Sequence, residues 1–275
     1  MLPNPSGVGD GQRYKMVMEG CKAIALRSCT VLESEYLSLA QTIVKKPVIP
    51  VGLLPPSANE RNENVNETEK EIMDWLDEQS SGSVVYVALG TEAAMSIEMM
   101  HELALGLEAA KLPFIWALRR PFGLGEDLDL LPQGFEDRTK GLGMVVMGWV
   151  PQVKVLAHEA VGGFLTHCGW SSIIEGLQSG RPLVLLPIAL DQGLNARLME
   201  EKGLGVEVER EEEEGSFTRD DVSKALRLVV VDDDGEPYRK KAREMMEVVA
   251  NKKRQAKYVE DFIQYLVRHR GLEED

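Results

Sequence analysis

A cluster of polar side chains lies in the middle of the chain, where the stretch Thr-His-Cys-Gly-Trp-Ser-Ser, residues 166–172, continues the apolar run Gly-Gly-Phe-Leu. Histidine and serine donate hydrogen bonds to anions, and glycine lets a ligand approach the backbone closely. The residues from Ser171 onward are predicted to begin a helix, whose first turn carries unpaired backbone N–H groups and the positive end of the helix dipole. His167, Gly169 and Ser172 therefore predict a phosphate-binding site that lacks a Walker sequence.

Polar residues also follow three other predicted strands. They are Gly90 and Thr91 after strand 83–89, Trp149 and Gln152 after strand 143–148, and Asp191 and Gln192 after strand 181–187. In open parallel sheets, ligands bind beyond the carboxyl ends of the strands, where helices begin. Together with the end of strand 162–167, these strand ends are expected to direct their polar groups into one crevice.

The types of these residues suit the parts of a nucleotide sugar. Glu175 lies one turn further into the predicted helix, and a carboxylate accepts hydrogen bonds from vicinal hydroxyls such as those of ribose. Trp149 offers a flat face for a base. Asp191 and Gln192 are able to hold the hydroxyls of a sugar. The chemistry of the residues alone therefore indicates a nucleotide-sugar site.

From residue 71 onward the chain alternates between apolar strands and amphipathic helices. The predicted strands are 83–89, 113–119, 143–148, 162–167, 181–187 and 205–209. This alternation is typical of βαβ units and predicts an α/β fold with a parallel sheet and flanking helices. Residues 1–52 contain too few strands to close a sheet alone, and residues 53–70, rich in Pro, Asn and Glu, predict a surface linker.

The composition argues against several classes of function. The chain has 275 residues and a formal net charge of −14, which disfavours nucleic acid as the main partner. Cys21, Cys29 and Cys168 form no Cys-x-x-Cys pair, so we expect a reducing compartment, the cytoplasm, with neither a disulfide framework nor a zinc site. No apolar run approaches the roughly 18 residues of a membrane span. The N-terminus lacks the pattern of a signal peptide.

The segment WVPQVKVLAHEAVGGFLTHCGWSSIIEGLQSGRPLVLLPIALDQ, Trp149 to Gln192, resembles the 44-residue donor signature of plant UDP-dependent glycosyltransferases, glycosyltransferase family 1. Two further segments, KPVIPVGLLPP and VYVALGTEA, are also similar to this family. Together with the Ser171-Ser172 pair, which stands where most members have Asn-Ser, these two segments resemble the branch that adds sugars to sugars already present on a small molecule. The resemblance implies the C-terminal, Rossmann-like donor domain of a two-domain GT-B fold, with the N-terminal domain mostly absent.

The resemblance implies roles for individual residues. At the nucleoside, Trp149 is expected to stack on uracil, the backbone of Val150 to bind the edge of the ring, and Gln152 and Glu175 to hold the ribose. The residues implied at the diphosphate are Thr91, His167, Gly169, Ser171 and Ser172, and those implied at the transferred sugar are Trp170, Asp191 and Gln192. Ser171 stands where the family usually has Asn, so its shorter side chain is expected to lose one phosphate contact. Gln192 is similar to the residue that usually accompanies glucose.

The family's general base is a His, paired with an Asp of the N-terminal domain, and nothing in this sequence matches that pair. None of the four histidines, His101, His158, His167 and His269, follows an early strand. We interpret the histidines other than His167 as packing or surface residues, and Cys168 as a small buried thiol.

The resemblance thus implies a truncated chain without catalytic residues of its own. It divides into a remnant of the acceptor domain in 1–52, a linker in 53–70, the UDP-sugar-binding domain in 71–252 and, in 253–275, a helix that packs back on the N-terminal domain.

Two hypotheses from different classes remain open. In the first, the protein is a UDP-glycosyltransferase that transfers a hexose, glucose in our prediction, from a UDP-sugar to a hydroxyl of a small-molecule acceptor such as a plant glycoside. This transfer would proceed with inversion, without a metal or cofactor, in a protein that is monomeric when full length. In the second, the chain is a non-catalytic fragment that binds UDP or a UDP-sugar. An epimerase fits the signature poorly, and a dehydrogenase is disfavoured because no Gly-x-Gly-x-x-Gly opens a helix after the first strand.

Overall fold

The structure, a computed structural model of the chain, describes residues 7–56, 67–90, 95–120, 129–211 and 215–270. The chain divides into two compact units. The first is formed by Met1–Leu54 and Asn251–Asp275, and the second by Pro55–Ala250.

The first unit combines a short parallel sheet with helices from both ends of the chain. Its described elements are α1 (Asp10–Gly20), β1 (Ile24–Leu26), α2 (Thr30–Val44), β2 (Val48–Pro50) and α11 (Lys252–Arg268), and β1 pairs in parallel with β2. Hydrogen bonds tie α11 to the earlier segments, because Gln255 Oε1 accepts from Leu53 N at 2.8 Å and the Tyr258 hydroxyl lies 2.7 Å from Thr30 Oγ1.

The second unit holds the larger sheet, with helices between its strands. Its described strands are β3 (Val84–Ala88), β4 (Phe114–Leu118), β5 (Gly143–Met147), β6 (Val161–Thr166), β7 (Leu183–Leu185) and β8 (Gly205–Glu207). Its described helices are α3 (Glu67–Asp77), α4 (Ile97–Ala110), α5 (Phe135–Arg138), α6 (Gln152–Ala157), α7 (Trp170–Gln178), α8 (Gln192–Glu201), α9 (Arg219–Val230) and α10 (Glu236–Val249). All the pairings between these strands are parallel.

The strand order places a topological switch point at the centre of this sheet. Among the described residues the order is β5-β4-β3-β6-β7-β8, so the chain moves outward from β3 to β5, returns to β6 beside β3, and then moves the other way. This is the strand order of Rossmann folds, which bind ligands in the crevice where the order reverses. The predicted α/β class with a parallel sheet is confirmed.

The sequence explains why these segments form the core. All five residues of β3 are buried, as expected for a β-branched strand covered on both faces of a parallel sheet. Helices α4 and α9 pack closely, since a Cβ added to Gly106 would lie 2.6 Å from the Cβ of Val222. Helix α9 begins with a capping box in which Thr218 and Asp221 satisfy each other's backbone N–H groups.

Some element boundaries differ from the prediction. Strand β7 is only Leu183–Leu185, shorter than the apolar run 181–187. Helix α3 begins at Glu67, inside the predicted linker 53–70, because its face with Ile72 and Leu76 is buried and the buried Glu69 is paired with Lys154. Helix α5 was not predicted from the sequence, since four residues are too few to show a helical period.

Composition-based expectations can be compared with the described part of the chain. The three cysteines are all described there, and each is a free thiol. Within the same residues, no group of three or more His, Cys, Asp and Glu side chains is placed to hold a metal ion. None of the described helices is both long and apolar enough to cross a membrane.

Replacement of Gly162 by Ala is expected to destabilise the protein. The added Cβ would lie 1.9 Å from the carbonyl oxygen of Gly82, and this backbone atom cannot move without disturbing the start of β3. Overpacking of this kind costs about 1–3 kcal/mol, which urea unfolding will measure. Gly193→Ala is the matched control, because a Cβ there meets nothing within 4 Å. Equal stability of the two variants would contradict the packing described here.

Candidate functional site

The turn between β6 and α7 carries the residues that were predicted to bind an anion. His167 and Cys168 follow β6, Gly169 is the N-cap of α7, and Trp170 is the first residue of the helix. Cys168 has φ of 66°, a left-handed conformation that costs a non-glycine residue about 1–2 kcal/mol. Such conformations cluster at binding sites, where the surrounding structure enforces them. The positive end of the α7 dipole therefore lies at the carboxyl end of β6.

The imidazole of His167 fits between two glycines. A Cβ added to Gly90, which follows β3, would lie 2.8 Å from His167 Nε2, and a Cβ added to Gly169 would lie 2.6 Å from the same atom. Gly90 also has a positive φ of 72°, which favours glycine for a second reason. The ends of the two central strands, β3 and β6, thus fix the position of this ring at the switch point.

Helix α7 places Glu175 in contact with Gln152, which lies 23 positions earlier in the chain. Ile173, Ile174 and Leu177 are buried in the core, and Glu175 is only partly buried. Gln152, the first residue of α6, donates a hydrogen bond from Nε2 to Glu175 Oε2 at 2.7 Å. The two residues predicted to hold a ribose are therefore in direct contact.

Helix α6, which positions Gln152, is held against α3 by one ion pair and one histidine–carboxylate hydrogen bond. Lys154 pairs with the buried Glu69, and His158, directly after α6, lies with Nε2 3.1 Å from Asp77 Oδ1. His158 Nδ1 accepts a hydrogen bond from Ala160 N at 3.3 Å. Because both ring nitrogens have partners and His158 precedes β6, this His–Asp pair belongs to the amino edge of the sheet, away from His167. Its contacts agree with a packing role.

The loop between β7 and α8 is organised by the Gln192 side chain. Gln192 is 5% exposed, and its Oε1 accepts hydrogen bonds from Ile188 N and Ala189 N, both at 2.9 Å. The neighbouring Asp191 is exposed, and its Oδ2 accepts from Asn195 Nδ2 at 3.2 Å.

Asn195 also ties this loop to the preceding one. The same Asn195 nitrogen donates to the Cys168 carbonyl at 3.0 Å, so one amide group bonds to both loops. An amide nitrogen has two hydrogens, one for each acceptor. The loops after β6 and β7 are therefore linked through Cys168 and Asp191.

Trp149 lies at the end of β5 with much of its ring accessible. Its exposed fraction is 52%, and it follows Gly148, whose φ is 108°. Val150 is buried, and its carbonyl accepts from Gln152 N at 2.8 Å, which forms a tight turn into α6. An exposed aromatic face beside a fixed backbone suits the stacking of a flat ring.

The thiol of Cys168 is unsuited to nucleophilic chemistry. The residue is fully buried, and burial raises the pKa of the thiol well above its ordinary value, with a further contribution from the charge of Glu207. The thiolate is the nucleophilic form of cysteine, so a raised pKa suppresses reactivity. The role of Cys168 is therefore structural, as a buried side chain in the turn between β6 and α7.

The predicted site residues fall at the carboxyl ends of β5, β6 and β7, with Ser171 exposed and Ser172 partly buried in the first turn of α7. Thr91 lies outside the described residues.

Sequence reasoning missed Tyr86, which contacts Gln152, and Asn195. The signal for Tyr86 was present, because it carries the one polar side-chain atom in the buried run Val84–Ala88. Asn195 gave no such signal within a polar helix.

This arrangement brings several complementary groups to one edge of the sheet. A helix N-terminus and a histidine favour an anion, an amide and a carboxylate suit vicinal hydroxyls, and an exposed indole suits a flat ring. The exposed Asp191 adds acceptors for further hydroxyls.

The comparisons with known proteins assign the family. The family model described as UDP-glucoronosyl and UDP-glucosyl transferase matches residues 57–273, and the chain therefore belongs to this family. The chain is 46% identical over 261 residues to UDP-glycosyltransferase 91C1 of Arabidopsis thaliana, an alignment that covers 95% of this chain and 55% of the relative. It is also 46% identical over 253 residues to soyasaponin III rhamnosyltransferase of Glycine max, covering 91% of this chain and 53% of the relative.

A solved structure agrees with this assignment. The crystal structure of a UGT transferase from Siraitia grosvenorii in complex with UDP superposes with a TM-score of 0.78 at 29% identity, covering 93% of this chain and 62% of that chain. The sheet of the second unit therefore corresponds to the C-terminal, Rossmann-like domain of the GT-B fold. This chain spans about half the length of the curated relatives that it matches.

Gln192→Met is expected to destabilise the protein although it nearly preserves side-chain volume. Methionine cannot replace the amide oxygen that accepts from Ile188 N and Ala189 N, and each hydrogen bond lost from these part-buried groups costs about 0.5–1.5 kcal/mol. Urea unfolding will measure this loss. The adjacent Asp191→Asn keeps its acceptor on the surface and should change stability by less than about 0.5 kcal/mol. If Gln192→Met is equally stable, Gln192 does not organise the loop.

Proposed function

We propose that this chain binds a UDP-sugar at the carboxyl edge of the second unit's sheet and supplies the donor site of a UDP-glycosyltransferase. The observation that carries the proposal is the placement of Glu175 on the same helix whose N-terminus adjoins His167. Glu175 lies five positions after Trp170, a rise of about 7.5 Å along the helix. One helix can thus hold a diphosphate at its N-terminus and ribose hydroxyls further along.

The nucleotide contacts follow from this placement. Trp149 stacks on the uracil with its exposed face, and the Val150 backbone binds the edge of the ring. Gln152 and Glu175 bind the ribose. His167 donates to the diphosphate together with Gly169 and the hydroxyls of Ser171 and Ser172, and Thr91 is assigned to the same group. Trp170 is assigned to the transferred sugar.

The sugar contacts divide into acceptors and donors. Asp191 is exposed and accepts hydrogen bonds from sugar hydroxyls. Gln192 uses its amide oxygen within the loop, so it meets the sugar through its amide N–H groups. We propose glucose as the sugar. Because the Glycine max relative is named a rhamnosyltransferase, UDP-rhamnose is the competing donor to compare.

The proposed reaction is an inverting transfer to a hydroxyl of a small glycoside. The acceptor oxygen attacks the anomeric carbon, the bond from that carbon to the diphosphate oxygen breaks, and a base takes the acceptor proton. The negative charge that develops on the leaving UDP is stabilised by His167 and the α7 dipole. The base is assigned to no histidine of this chain, since His158 belongs to the amino edge and His269 stacks on Tyr265.

The domain assignment is part of the same proposal. Residues 71–252 bind the UDP-sugar, 53–70 form the linker, whose last residues from Glu67 onward already belong to α3, and 1–52 and 253–275 belong with an acceptor-binding domain. We propose a cytoplasmic location, which the free thiols of Cys21, Cys29 and Cys168 support. In the alternative, the chain binds UDP or a UDP-sugar without catalysis, and the absence of an assigned base favours it.

UDP is expected to bind the purified chain, and Trp149→Ala and Glu175→Ala are each expected to weaken that binding. Loss of base stacking costs about 1–3 kcal/mol, and loss of hydrogen bonds to a charged group about 1.5–3 kcal/mol. Each variant should therefore raise the Kd about five- to 150-fold. Titration calorimetry measures the change directly.

The matched control is Glu159→Ala, which removes an exposed carboxylate at the amino edge of the sheet. Its Kd for UDP should equal that of the unmodified chain. A folded chain that does not bind UDP, or variants that all bind equally, would refute the donor site.

Transfer is expected only when the base is supplied. The chain alone, incubated with UDP-glucose and a small plant glycoside, should release no UDP above background. Addition of the part of the Arabidopsis thaliana relative that this chain does not span should restore transfer, and Glu175→Ala should abolish the restored activity. Transfer by the chain alone would show that it contains its own base, and failure of restoration would favour the binding-only function.

A further inference from the structure

Tyr86 occupies an unusual place for a polar side chain. It lies in the middle of β3, is 1% exposed, and its ring stacks on Phe164 with the ring centroids 5.4 Å apart. The surrounding positions of β3 are Val or Ala. A phenylalanine would supply the same packing, whereas the hydroxyl of a buried tyrosine requires a hydrogen-bond partner. The partner that the structure provides is a residue of the proposed ribose site.

The hydroxyl begins a chain of two hydrogen bonds. Tyr86 Oη donates to Gln152 Oε1 at 3.3 Å, and Gln152 Nε2 donates to Glu175 Oε2 at 2.7 Å. The direction of the chain is fixed chemically, because an ionised carboxylate only accepts hydrogen bonds. The amide nitrogen must therefore face Glu175, and the amide oxygen is left for Tyr86.

This direction determines what Gln152 offers to a ligand. Its amide nitrogen has two hydrogens, and one of them is used by Glu175. The second is available to a ribose oxygen, while the other oxygen of Glu175 accepts from a ribose hydroxyl. Without the Tyr86 hydroxyl, the amide oxygen loses its buried donor, and the amide becomes free to rotate away from Glu175.

We propose that Tyr86 is a positioning residue that fixes the orientation of the Gln152 amide and thereby makes the site select nucleotides that carry ribose hydroxyls. The inference rests on the proposed function, because it assigns a role at the same ribose site. Tyr86 acts through Gln152 and touches no ligand itself.

The state of the phenol agrees with this role. Burial raises the pKa of Tyr86 above its ordinary value, and the nearby carboxylate of Glu175 raises it further. The phenol therefore keeps its proton at neutral pH and remains a donor. Phe164, which stacks on the ring, contributes no polar atom that could replace Gln152 as the partner.

The test compares the binding of UDP and 2′,3′-dideoxy-UDP, which lacks both ribose hydroxyls, to the full chain and to Tyr86→Phe. The substitution removes one oxygen and keeps the stacking on Phe164. The loss of one hydrogen bond should raise the Kd for UDP about three- to tenfold. The Kd for 2′,3′-dideoxy-UDP should not change, so the preference for the ribose compound should fall by the same factor.

Gln152→Ala tests the same chain of hydrogen bonds without altering the buried strand. It should remove most of the preference for UDP, and the double variant Tyr86→Phe with Gln152→Ala should show no further loss. Tyr238→Phe, on α10, is the matched control and should bind both nucleotides like the unmodified chain.

The outcomes separate this inference from the proposed function. If the unmodified chain binds UDP and Tyr86→Phe weakens both nucleotides equally or neither, the hydroxyl has only a structural role and the inference is wrong. Additive losses in the double variant would also refute it. If the unmodified chain binds neither nucleotide, the proposed donor site itself is wrong.

Discussion

The parallel pairing of β3 with β6 is the constraint on which the site depends. These strands are distant in sequence, and their register aligns Ala88 with Thr166. The segments that follow them therefore leave the sheet side by side, and Gly90 comes to lie against His167. Because the chain turns in opposite directions from these two strands, no strand crossing closes the crevice between their ends. The other elements build outward from this pair.

Close approach at the switch point limits the residues that can occupy it. The His167 ring leaves no room for a side chain at Gly90 or Gly169, and Cys168 must adopt a left-handed backbone. The strain at Cys168 is offset by burial of its side chain and by the hydrogen bond from Asn195 to its carbonyl. A turn held in this way is preorganised, so a ligand does not have to order it on binding.

Much of the sheet could be predicted, because a strand buried on both faces shows as a continuous apolar run. The run that contains β3 is an example. Ends were harder to place. The end of β7 depends on its pairing with neighbouring strands. The start of α3 was hard to predict because Glu69 makes that segment look exposed, whereas its ion pair with Lys154 allows it to be buried.

The sequence by itself determined which chemical groups follow each strand: an indole after β5, a histidine and a helix N-terminus after β6, and a carboxylate after β7. Only the tertiary structure decided which groups touch. It showed that Gln152 donates a hydrogen bond to Glu175 and that Tyr86 donates one to Gln152. It also showed that the amide oxygen of Gln192 accepts a hydrogen bond from the backbone of its own loop. The physical reason is that periodicity reports how one element faces the core. Contacts between distant residues depend on strand register and on where each helix is placed.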